Sequence, residues 1–338
     1  MPPVYSLVVP IYNEEAVLPI LLRRLDALMD ALDAPAEAIF IDDGSEDAGP
    51  IVLEAKARAD RRYRFIKLSR NFGHQIAITT GMERASGQAV VVMDADLQDP
   101  PEVVLEMIAK WRQGYEIVYA ERLSRAAESR FKRLTADLFY RLLAKLSDVE
   151  IPRNVGDFRL VDRRALDAFL AMPERDRFVR GMFAWIGFRQ TVVQFHRQAR
   201  AAGETKYSLA KMIRLAANGV VSFSDAPLRV ALWAGLATSG MAILYGLWVI
   251  ARWAMNADLA RGWSSIIVLT AFLGGANMLM TGVMGVYVGR VYGEVKRRPL
   301  YVIDRTVGFE AAAEARGPAA EARDASPAQA RPPAARRA

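Results

Sequence analysis

Short apolar runs alternate with longer amphipathic stretches along the first third of the chain. The apolar runs predict buried strands at residues 4–10, 38–41, 64–68, 89–93 and 117–120. Amphipathic stretches at residues 14–31 and 75–85 predict helices, and Pro100 and Pro101 predict the start of another, because proline is tolerated in a first turn. This alternation predicts an α/β fold with a Rossmann-like, mostly parallel sheet and helices on both faces.

Two much longer segments, residues 230–250 and 263–289, carry no charged side chain. At about 1.5 Å per residue, each is long enough to cross a hydrocarbon layer of about 30 Å, so we expect two transmembrane helices. Buried core helices are the alternative, but they rarely stay uncharged over this length. Arg290 and a basic cluster at 296–298 follow the second segment, so the positive-inside rule places both termini in the cytoplasm.

The chain therefore divides into four predicted parts. They are a cytoplasmic domain at 1–227, a transmembrane hairpin at 228–290, a cytoplasmic juxtamembrane segment at 291–310 and a tail at 311–338. The tail is rich in Ala, Arg, Glu and Pro and buries too little apolar surface to fold, so we expect it to be disordered. Basic amphipathic stretches at 131–146 and 208–223 predict interfacial helices on the cytoplasmic leaflet, with an ordinary solvated helix face as the alternative.

Composition narrows the possible chemistry. The chain has no cysteine, which excludes disulfides, thiolate metal sites and cysteine nucleophiles. Since His74 and His196 are its only histidines, oxygen ligands would have to hold any metal, which favours Mg²⁺ or Mn²⁺. The net charge is +7, but the basic residues cluster near the membrane segments and in the tail. Attraction to lipid explains this pattern better than nucleic-acid binding, although a non-enzymatic membrane-tethered scaffold stays an alternative.

A compact acidic motif follows the apolar run at 89–93. Asp94 and Asp96 alternate along the chain, so an extended backbone points both side chains the same way, and Gln98 adds an amide oxygen. Oxygen ligands of this kind bind Mg²⁺ or Mn²⁺ together with phosphate oxygens. A solvated acidic turn would explain a bare pair of aspartates, but the longer motif, which follows a strand, is more specific.

Five motifs together resemble the inverting glycosyltransferases of family 2, which have the GT-A fold. The motifs lie at residues 9–15, 41–45, 93–98, 156–160 and 203–207 and run in family order over roughly residues 4–230. The closer resemblance is to the polyprenyl-phosphate branch, which includes bactoprenol glucosyltransferases and dolichol-phosphate mannose synthase. The two expected spans agree with the bactoprenol type rather than with members that lack an anchor.

The resemblance implies a role for each matching residue. Nucleotide-sugar binding is implied for Pro10, Tyr12, Glu14, Ile41, Asp43, Asp94 and Ala95. Metal binding at the diphosphate is implied for Asp96 and Gln98. Catalytic roles are implied for Asp157, as a base or a positioning group, and for Arg122, Lys132 and Lys206, as contacts to phosphates. Without the resemblance, core packing would explain Tyr12, a helix cap would explain Asp43, and a surface pair with Arg159 would explain Asp157.

The resemblance also implies a reaction. We expect metal-dependent, inverting transfer of a hexose, with UDP-glucose as the first choice of donor, to polyprenyl (undecaprenyl) phosphate. The expected location is the cytoplasmic face of a bacterial inner membrane, in a multi-pass and homo-oligomeric protein. UDP-GlcNAc, a modified pentose donor and GDP-mannose stay open as donors. Residues 68–75 are expected to approach the donor, with His74 in a structural role.

Overall fold

A computed structural model describes residues 2–123, 155–175, 177–196, 226–255 and 262–309. The strands are β1 (Tyr5–Ile11), β2 (Ala36–Asp42), β3 (Tyr63–Leu68), β4 (Ala89–Val92), β5 (Ile117–Arg122), β6 (Val155–Asp162), β7 (Gln190–Phe195) and β8 (Ile303–Val307). The helices are α1 (Leu18–Ala31), α2 (Gly49–Ala59), α3 (His74–Arg84), α4 (Val103–Arg112), α5 (Arg163–Leu170), α6 (Val179–Trp185), α7 (Ala226–Ala254) and α8 (Trp263–Val295). The predicted interfacial helices at 131–146 and 208–223 and the predicted disordered tail at 311–338 lie outside the described residues.

One mixed sheet organises the fold, with the strand order β7-β5-β6-β4-β1-β2-β3-β8. The pairs β1–β2, β1–β4, β2–β3 and β5–β7 are parallel, whereas β6 is antiparallel to β4 and β5, and β8 is antiparallel to β3. The predicted α/β class is therefore confirmed, and the strands predicted from apolar runs all form. The sheet is less parallel than predicted because β6 and β8 run against the others.

The central strands are buried on both faces, which explains why they read as continuous apolar runs. Every residue of β1 is buried. On one face, Leu7 and Val9 pack in a core that includes residues of α1 and α4. On the other face, Val8 and Ile39 pack in a second core with residues of α3, α5 and α6. The sheet is thus a rigid platform whose loops are held at its edges.

The last described strand, β8, returns the chain to the sheet after α8. It pairs with β3, and the Ser69 amide donates to the Val302 carbonyl at 2.9 Å. The Tyr301 hydroxyl donates to Glu83 on α3 at 2.5 Å. The segment at 291–310, predicted as a juxtamembrane part separate from the domain at 1–227, therefore adds a strand to the sheet of that domain.

The two long helices near the C-terminus are strongly apolar. Within the part of the chain that the structure describes, one segment, Phe272–Val295 of α8, is long and apolar enough to cross a membrane. A shorter apolar stretch, Val230–Tyr245, lies in α7. The structure thus contains one candidate span, and the predicted two-helix hairpin stays a prediction.

Candidate active site

The sheet has a topological switch point between β1 and β4. The chain proceeds from β1 to β2 and β3 on one side, and β4 lies on the other side of β1. Loops that leave two such strands diverge and open a crevice at their carboxyl ends, where ligands of α/β proteins bind. Residues 12–17 follow β1 and residues 93–102 follow β4, so the predicted nucleotide-sugar and metal motifs share one crevice.

The loops after β1 and β2 are joined by backbone-to-side-chain hydrogen bonds. The Asn13 amide donates to Ser45 Oγ at 2.9 Å, and the Glu46 amide donates to Asn13 Oδ1 at 2.9 Å. The Glu15 amide donates to Asp47 Oδ2 at 2.9 Å. Asn13 itself has the left-handed φ of 56°, a conformation that asparagine tolerates better than most residues. These bonds give the β1 side of the crevice a fixed shape.

Asp43 fixes a third loop, the one that leads into α3. Its two carboxylate oxygens accept hydrogen bonds from the Phe72 amide at 2.7 Å and the Gly73 amide at 3.0 Å. Burial raises the pKa of Asp43. The loops pass so closely that a Cβ on Gly44, which has a φ of 77°, would lie 2.6 Å from the Asn71 nitrogen. Asp43 thus accepts hydrogen bonds from backbone amides at the start of α3. This agrees with the interpretation of Asp43 as a helix cap, but the capped helix is α3 and not α2, the helix that follows β2.

The residues implied to bind the nucleotide sugar differ in what they expose. Tyr12 is 47% exposed at the mouth of the crevice, and Glu14 is half-buried. Pro10 and Ala95 are buried. Ile41 is fully buried below α3, where its Cδ1 lies 2.5 Å from the position that a Cβ on Gly81 would take. The Ile41 side chain is therefore part of the core and offers no surface to a nucleotide in this structure.

The antiparallel strand β6 brings Asp157 beside Asp94. Arg159 of β6 pairs with Val92 of β4, so Asp157 precedes the paired position by two residues and Asp94 follows it by two. Because the two strands run in opposite directions, these equal offsets put Asp157 and Asp94 opposite each other. His74 lies there as well, with its Nε2 atom 3.4 Å from Asp94 Oδ1 and 3.3 Å from Asp157 Oδ2.

Asp157 is buried among donors. Arg159 Nη2 donates to its Oδ1 at 3.1 Å, and Gln75 Nε2 donates to its Oδ2 at 3.2 Å. Arg180 binds both oxygens, from Nε at 3.0 Å and from Nη2 at 3.2 Å. Burial raises the pKa of Asp157, but the hydrogen bond from His74 and the charges of Arg180 and Arg159 outweigh it, so the pKa lies well below 3.8. Asp157 is an anion at neutral pH and a weak base.

The pair of Asp157 and Arg159 that was considered as a surface alternative does form, but inside the protein. Arg159 is 0% exposed and Asp157 is 5% exposed. The Arg159 guanidinium lies over the rings of Tyr119 and Phe183, at 5.5 Å and 5.2 Å. Such a pair is expensive to bury and strongly destabilising to break. Its place at the switch-point edge makes it part of the site.

Asp94 and His74 have linked electrostatics. Burial raises the pKa of Asp94 to about 6. Within the described residues, Asp94 Oδ1 is a buried oxygen that accepts no hydrogen bond, and its contact with His74 Nε2 at 3.4 Å is an ion pair without hydrogen-bond geometry. Partial burial lowers the pKa of His74, but the hydrogen bond to Asp157 and the charges of Asp94 and Asp157 outweigh it and leave the pKa above 6.5. Asp94 is therefore prepared to accept a hydrogen bond from a ligand.

Arg122 lies at the other end of the acidic motif. Its Nη2 atom is 3.4 Å from both carboxylate oxygens of Asp99, which is 1% exposed. Gly156 leaves room for the guanidinium, since a Cβ there would lie 2.9 Å from Arg122 Nη2. Arg122 therefore stands beside the crevice, paired with Asp99. The other two cations implied to contact phosphates, Lys132 and Lys206, lie outside the described residues.

The predicted metal ligands form a tight turn. The Gln98 amide donates to Asp96 Oδ1 at 3.1 Å, and both side chains are half-buried. The described part of the chain contains no cluster of three or more His, Cys, Asp or Glu side chains that could hold a metal. The described residues alone thus offer few ligands, but Mg²⁺ commonly binds one or two carboxylates and takes its other oxygens from substrate phosphates and water. The all-oxygen set of Asp96 and Gln98 fits that kind of site.

Sequence reasoning expected residues 68–75 to approach the donor but gave no specific site role to His74 or Gln75, and it missed Arg180. His74 was expected to be structural, yet it contacts two site carboxylates. The expectation that residues 68–75 approach the donor could have pointed to His74 and Gln75. Arg180 gives no comparable signal, because its contact with Asp157 depends on how α6 packs against β6.

Comparison with known proteins agrees with the resemblance. Residues 6–170 match the model of glycosyl transferase family 2. An uncharacterized glycosyltransferase, YkcC, of Bacillus subtilis is 47% identical over 306 residues, which cover 90% of this chain and 95% of the relative. A prophage bactoprenol glucosyl transferase homolog of Escherichia coli is 40% identical over 300 residues, which cover 89% of this chain and 98% of the relative.

Among solved structures, glucosyl-3-phosphoglycerate synthase of Mycobacterium tuberculosis in complex with Mn²⁺, UDP-glucose and phosphoglyceric acid matches with a TM-score of 0.46 and 21% identity. The match covers 65% of this chain and 79% of that chain. The sequence relationships decide the family, because the relatives are similar over nearly their whole length. The chain belongs to glycosyl transferase family 2 and is a glycosyltransferase.

Proposed function

We propose that the protein transfers a hexose, with inversion, from a nucleotide sugar to polyprenyl phosphate, taken to be undecaprenyl phosphate. UDP-glucose is the first choice of donor, and UDP-GlcNAc, a modified pentose donor and GDP-mannose are the alternatives. The relatives named bactoprenol glucosyl transferase, such as the 40% identical proteins of Shigella phages SfII and SfV, support this acceptor and this sugar.

One observation carries the proposal. A buried carboxylate oxygen, Asp94 Oδ1, accepts no hydrogen bond from the described residues, although His74 Nε2 lies 3.4 Å away as an ion-pair partner, and it lies at the switch point next to Asp96 and Gln98. A buried acceptor without a partner is destabilising unless a ligand satisfies it. A hydroxyl group of a sugar whose diphosphate binds beside Asp96 would supply the missing donor.

The chemistry of the leaving group accounts for the metal. Departure of a nucleoside diphosphate develops negative charge, which a bound Mg²⁺ or Mn²⁺ neutralises without proton transfer. Asp96 and Gln98 would hold that cation. Of the three cations implied to contact phosphates, Arg122 is the one that the structure describes, and it lies beside the same turn. Its guanidinium can bind a substrate phosphate if that phosphate displaces Asp99.

Asp157 acts in this proposal as a fixed anion. A phosphate monoester has a second pKa of about 6, so the acceptor is largely a dianion at neutral pH and needs little help from a base. A carboxylate held by Arg159, Arg180 and Gln75 is poorly suited to take up a proton. Asp157 would instead orient Arg180 and His74 around the reacting groups.

The link between α8 and the sheet supports a lipid acceptor. The candidate span Phe272–Val295 ends in the last turn of α8, where Glu294 accepts a hydrogen bond from the Arg175 amide at 2.9 Å. A short connection then leads to β8 in the sheet. This arrangement would hold the crevice close to the headgroups of the inner membrane on its cytoplasmic side. The bilayer contact, the second span and a homo-oligomer form part of the proposal.

The test uses the full-length protein in vesicles that contain undecaprenyl phosphate. With Mn²⁺ and radiolabelled UDP-glucose, we expect label to enter a lipid-linked product of one sugar per lipid. Asp96→Asn should abolish this transfer, whereas Asp167→Asn, on an exposed carboxylate of α5 beyond the far end of β6, should leave it unchanged. The proposal fails if no member of a nucleotide-sugar panel donates to the lipid, or if Asp96→Asn stays fully active.

A further inference from the structure

The first turn of α3 joins carboxylates from three parts of the sheet. The Gly73 amide binds Asp43, which follows β2. His74 contacts Asp94, which follows β4, and both His74 and Gln75 contact Asp157 of β6. No other part of the described chain is seen to contact all three carboxylates, so this turn connects the nucleotide side of the crevice with the side where the sugar and acceptor are expected.

Gln75 extends the connection to α6. Its side-chain nitrogen donates to Asp157 Oδ2, and its side-chain oxygen accepts a hydrogen bond from the Val179 amide at 3.2 Å. Val179 precedes Arg180, the residue that holds both oxygens of Asp157. Asp157 is therefore fixed from β6, α6 and α3, and three of its donors do not depend on His74.

His74 differs from these fixing residues because its contacts span two carboxylates. Its Nε2 atom lies 3.4 Å from Asp94 Oδ1 and 3.3 Å from Asp157 Oδ2. Two ionised carboxylates that share a site repel each other unless a positive group lies between them. The His74 side chain is 44% exposed, so it lines the crevice instead of filling the core.

We propose that His74 is a positioning residue for the transfer: its imidazole bridges Asp94 and Asp157 and sets the spacing between the carboxylate on the donor side and the carboxylate on the acceptor side. This inference rests on the proposed function. It assigns His74 no contact with the reacting atoms. The group acts through Asp94, whose Oδ1 must stay in place to bind the sugar.

Removal of the His74 imidazole should therefore leave binding of the nucleotide sugar unchanged and lower kcat. The backbone bonds from Phe72 and Gly73 to Asp43 do not involve the His74 side chain, so the nucleotide side of the crevice keeps its shape. Asp94 would lose its bridge to Asp157 and move. Since a misplacement of about 1 Å can reduce a rate about 100-fold, we expect kcat to fall about 10-fold to 100-fold.

The experiment compares His74→Ala and His74→Gln with the wild type and with His196→Gln, which changes the other histidine, exposed at the end of β7. We expect His74→Ala to lower kcat with little change in the KM for UDP-glucose or in the urea midpoint. His74→Gln, which keeps a side-chain N–H donor, should recover part of the rate. A His74→Ala variant with wild-type kcat, or one whose loss lies wholly in KM or stability, would contradict the role.

A second readout needs no turnover. Selectively labelled histidine in the full-length protein allows the NMR titration of His74 to be followed. Asp94→Asn should lower the pKa of His74, because its imidazole lies beside that carboxylate. An unchanged His74 titration would overturn the bridge even if the wild-type protein transferred no sugar, so this inference and the proposed function can fail separately.

Discussion

Two groups of carboxylates lie along the same edge of the sheet and behave differently. The loop carboxylates, Asp42 at the end of β2 and Asp43 and Asp47 after it, accept hydrogen bonds from backbone amides. The strand-end carboxylates, Asp94, Asp99 and Asp157, follow or belong to β4 and β6 and contact side chains of His, Arg and Gln, whereas Asp96 in the same turn accepts a hydrogen bond from the Gln98 amide.

The difference suggests two roles: the loop carboxylates stabilise the loops, and the strand-end carboxylates hold side chains that can contact the substrate. A backbone amide that loses its acceptor has no alternative partner nearby, so the loop carboxylates fix the fold of the loops. A side-chain cation can exchange a carboxylate for a phosphate, so the strand-end carboxylates hold groups that a substrate can use. The same residue type therefore builds the crevice on one side and prepares the reaction on the other.

The largest expected effect is at a strand-end carboxylate. Asp157→Ala leaves the fully buried Arg159 without its carboxylate and Arg180 without an orienting partner. Breaking a buried ion pair by removing one partner costs about 3 to 5 kcal/mol, so urea unfolding should show a loss of that size and sugar transfer should disappear. Asp167→Asn serves as the control. A variant that unfolds at the wild-type urea concentration would contradict the buried-pair assignment.

A smaller and different effect is expected at a loop carboxylate. Asp43→Asn keeps one acceptor oxygen but turns an amide group toward the second backbone N–H, at Phe72 or Gly73. An unsatisfied buried donor costs about 1 to 3 kcal/mol. Because the bonds shape the nucleotide side, we expect the KM for UDP-glucose to rise more than kcat falls. Steady-state kinetics measure both constants. A fall in kcat that exceeds the rise in KM would contradict the different roles of the two groups.

The smallest expected effect is the pH dependence of stability from His74. Its pKa in the folded protein lies above 6.5, with Asp43, Asp94, Asp157 and Arg180 around it. Protonated His74 therefore contributes stability that is full below about pH 6.5, its unfolded pKa, and is lost as the pH rises through the higher folded pKa. Urea midpoints between pH 5.5 and 8.5, roughly the window around that pKa, should fall more for the wild type than for His74→Gln. If the urea midpoints of the two proteins changed equally with pH, the protonated His74 would contribute no stability.

The sequence could predict β1 to β5 because they are apolar runs, but it did not predict β7, which is parallel to β5 and whose residues are only partly buried. It could not identify β6 as a strand, since Asp157 and Arg159 make it look polar. Their burial depends on their mutual pair and on the contacts of Asp157 with residues of α3 and α6. β8 was missed for a related reason: Asp304 and Arg305 are ordinary residues for an exposed edge strand but not for an apolar run. The site motifs after β1, β2 and β4 were recognisable locally, whereas Arg180 reaches Asp157 through tertiary packing alone.

The most direct test of the central claim is the anomalous scattering of manganese in crystals of the protein grown with UDP-glucose. The account predicts a manganese peak in contact with Asp96, with the diphosphate of the donor in its coordination shell and a sugar hydroxyl on Asp94. A well-ordered donor with its diphosphate elsewhere, or a manganese peak away from this turn, would contradict it.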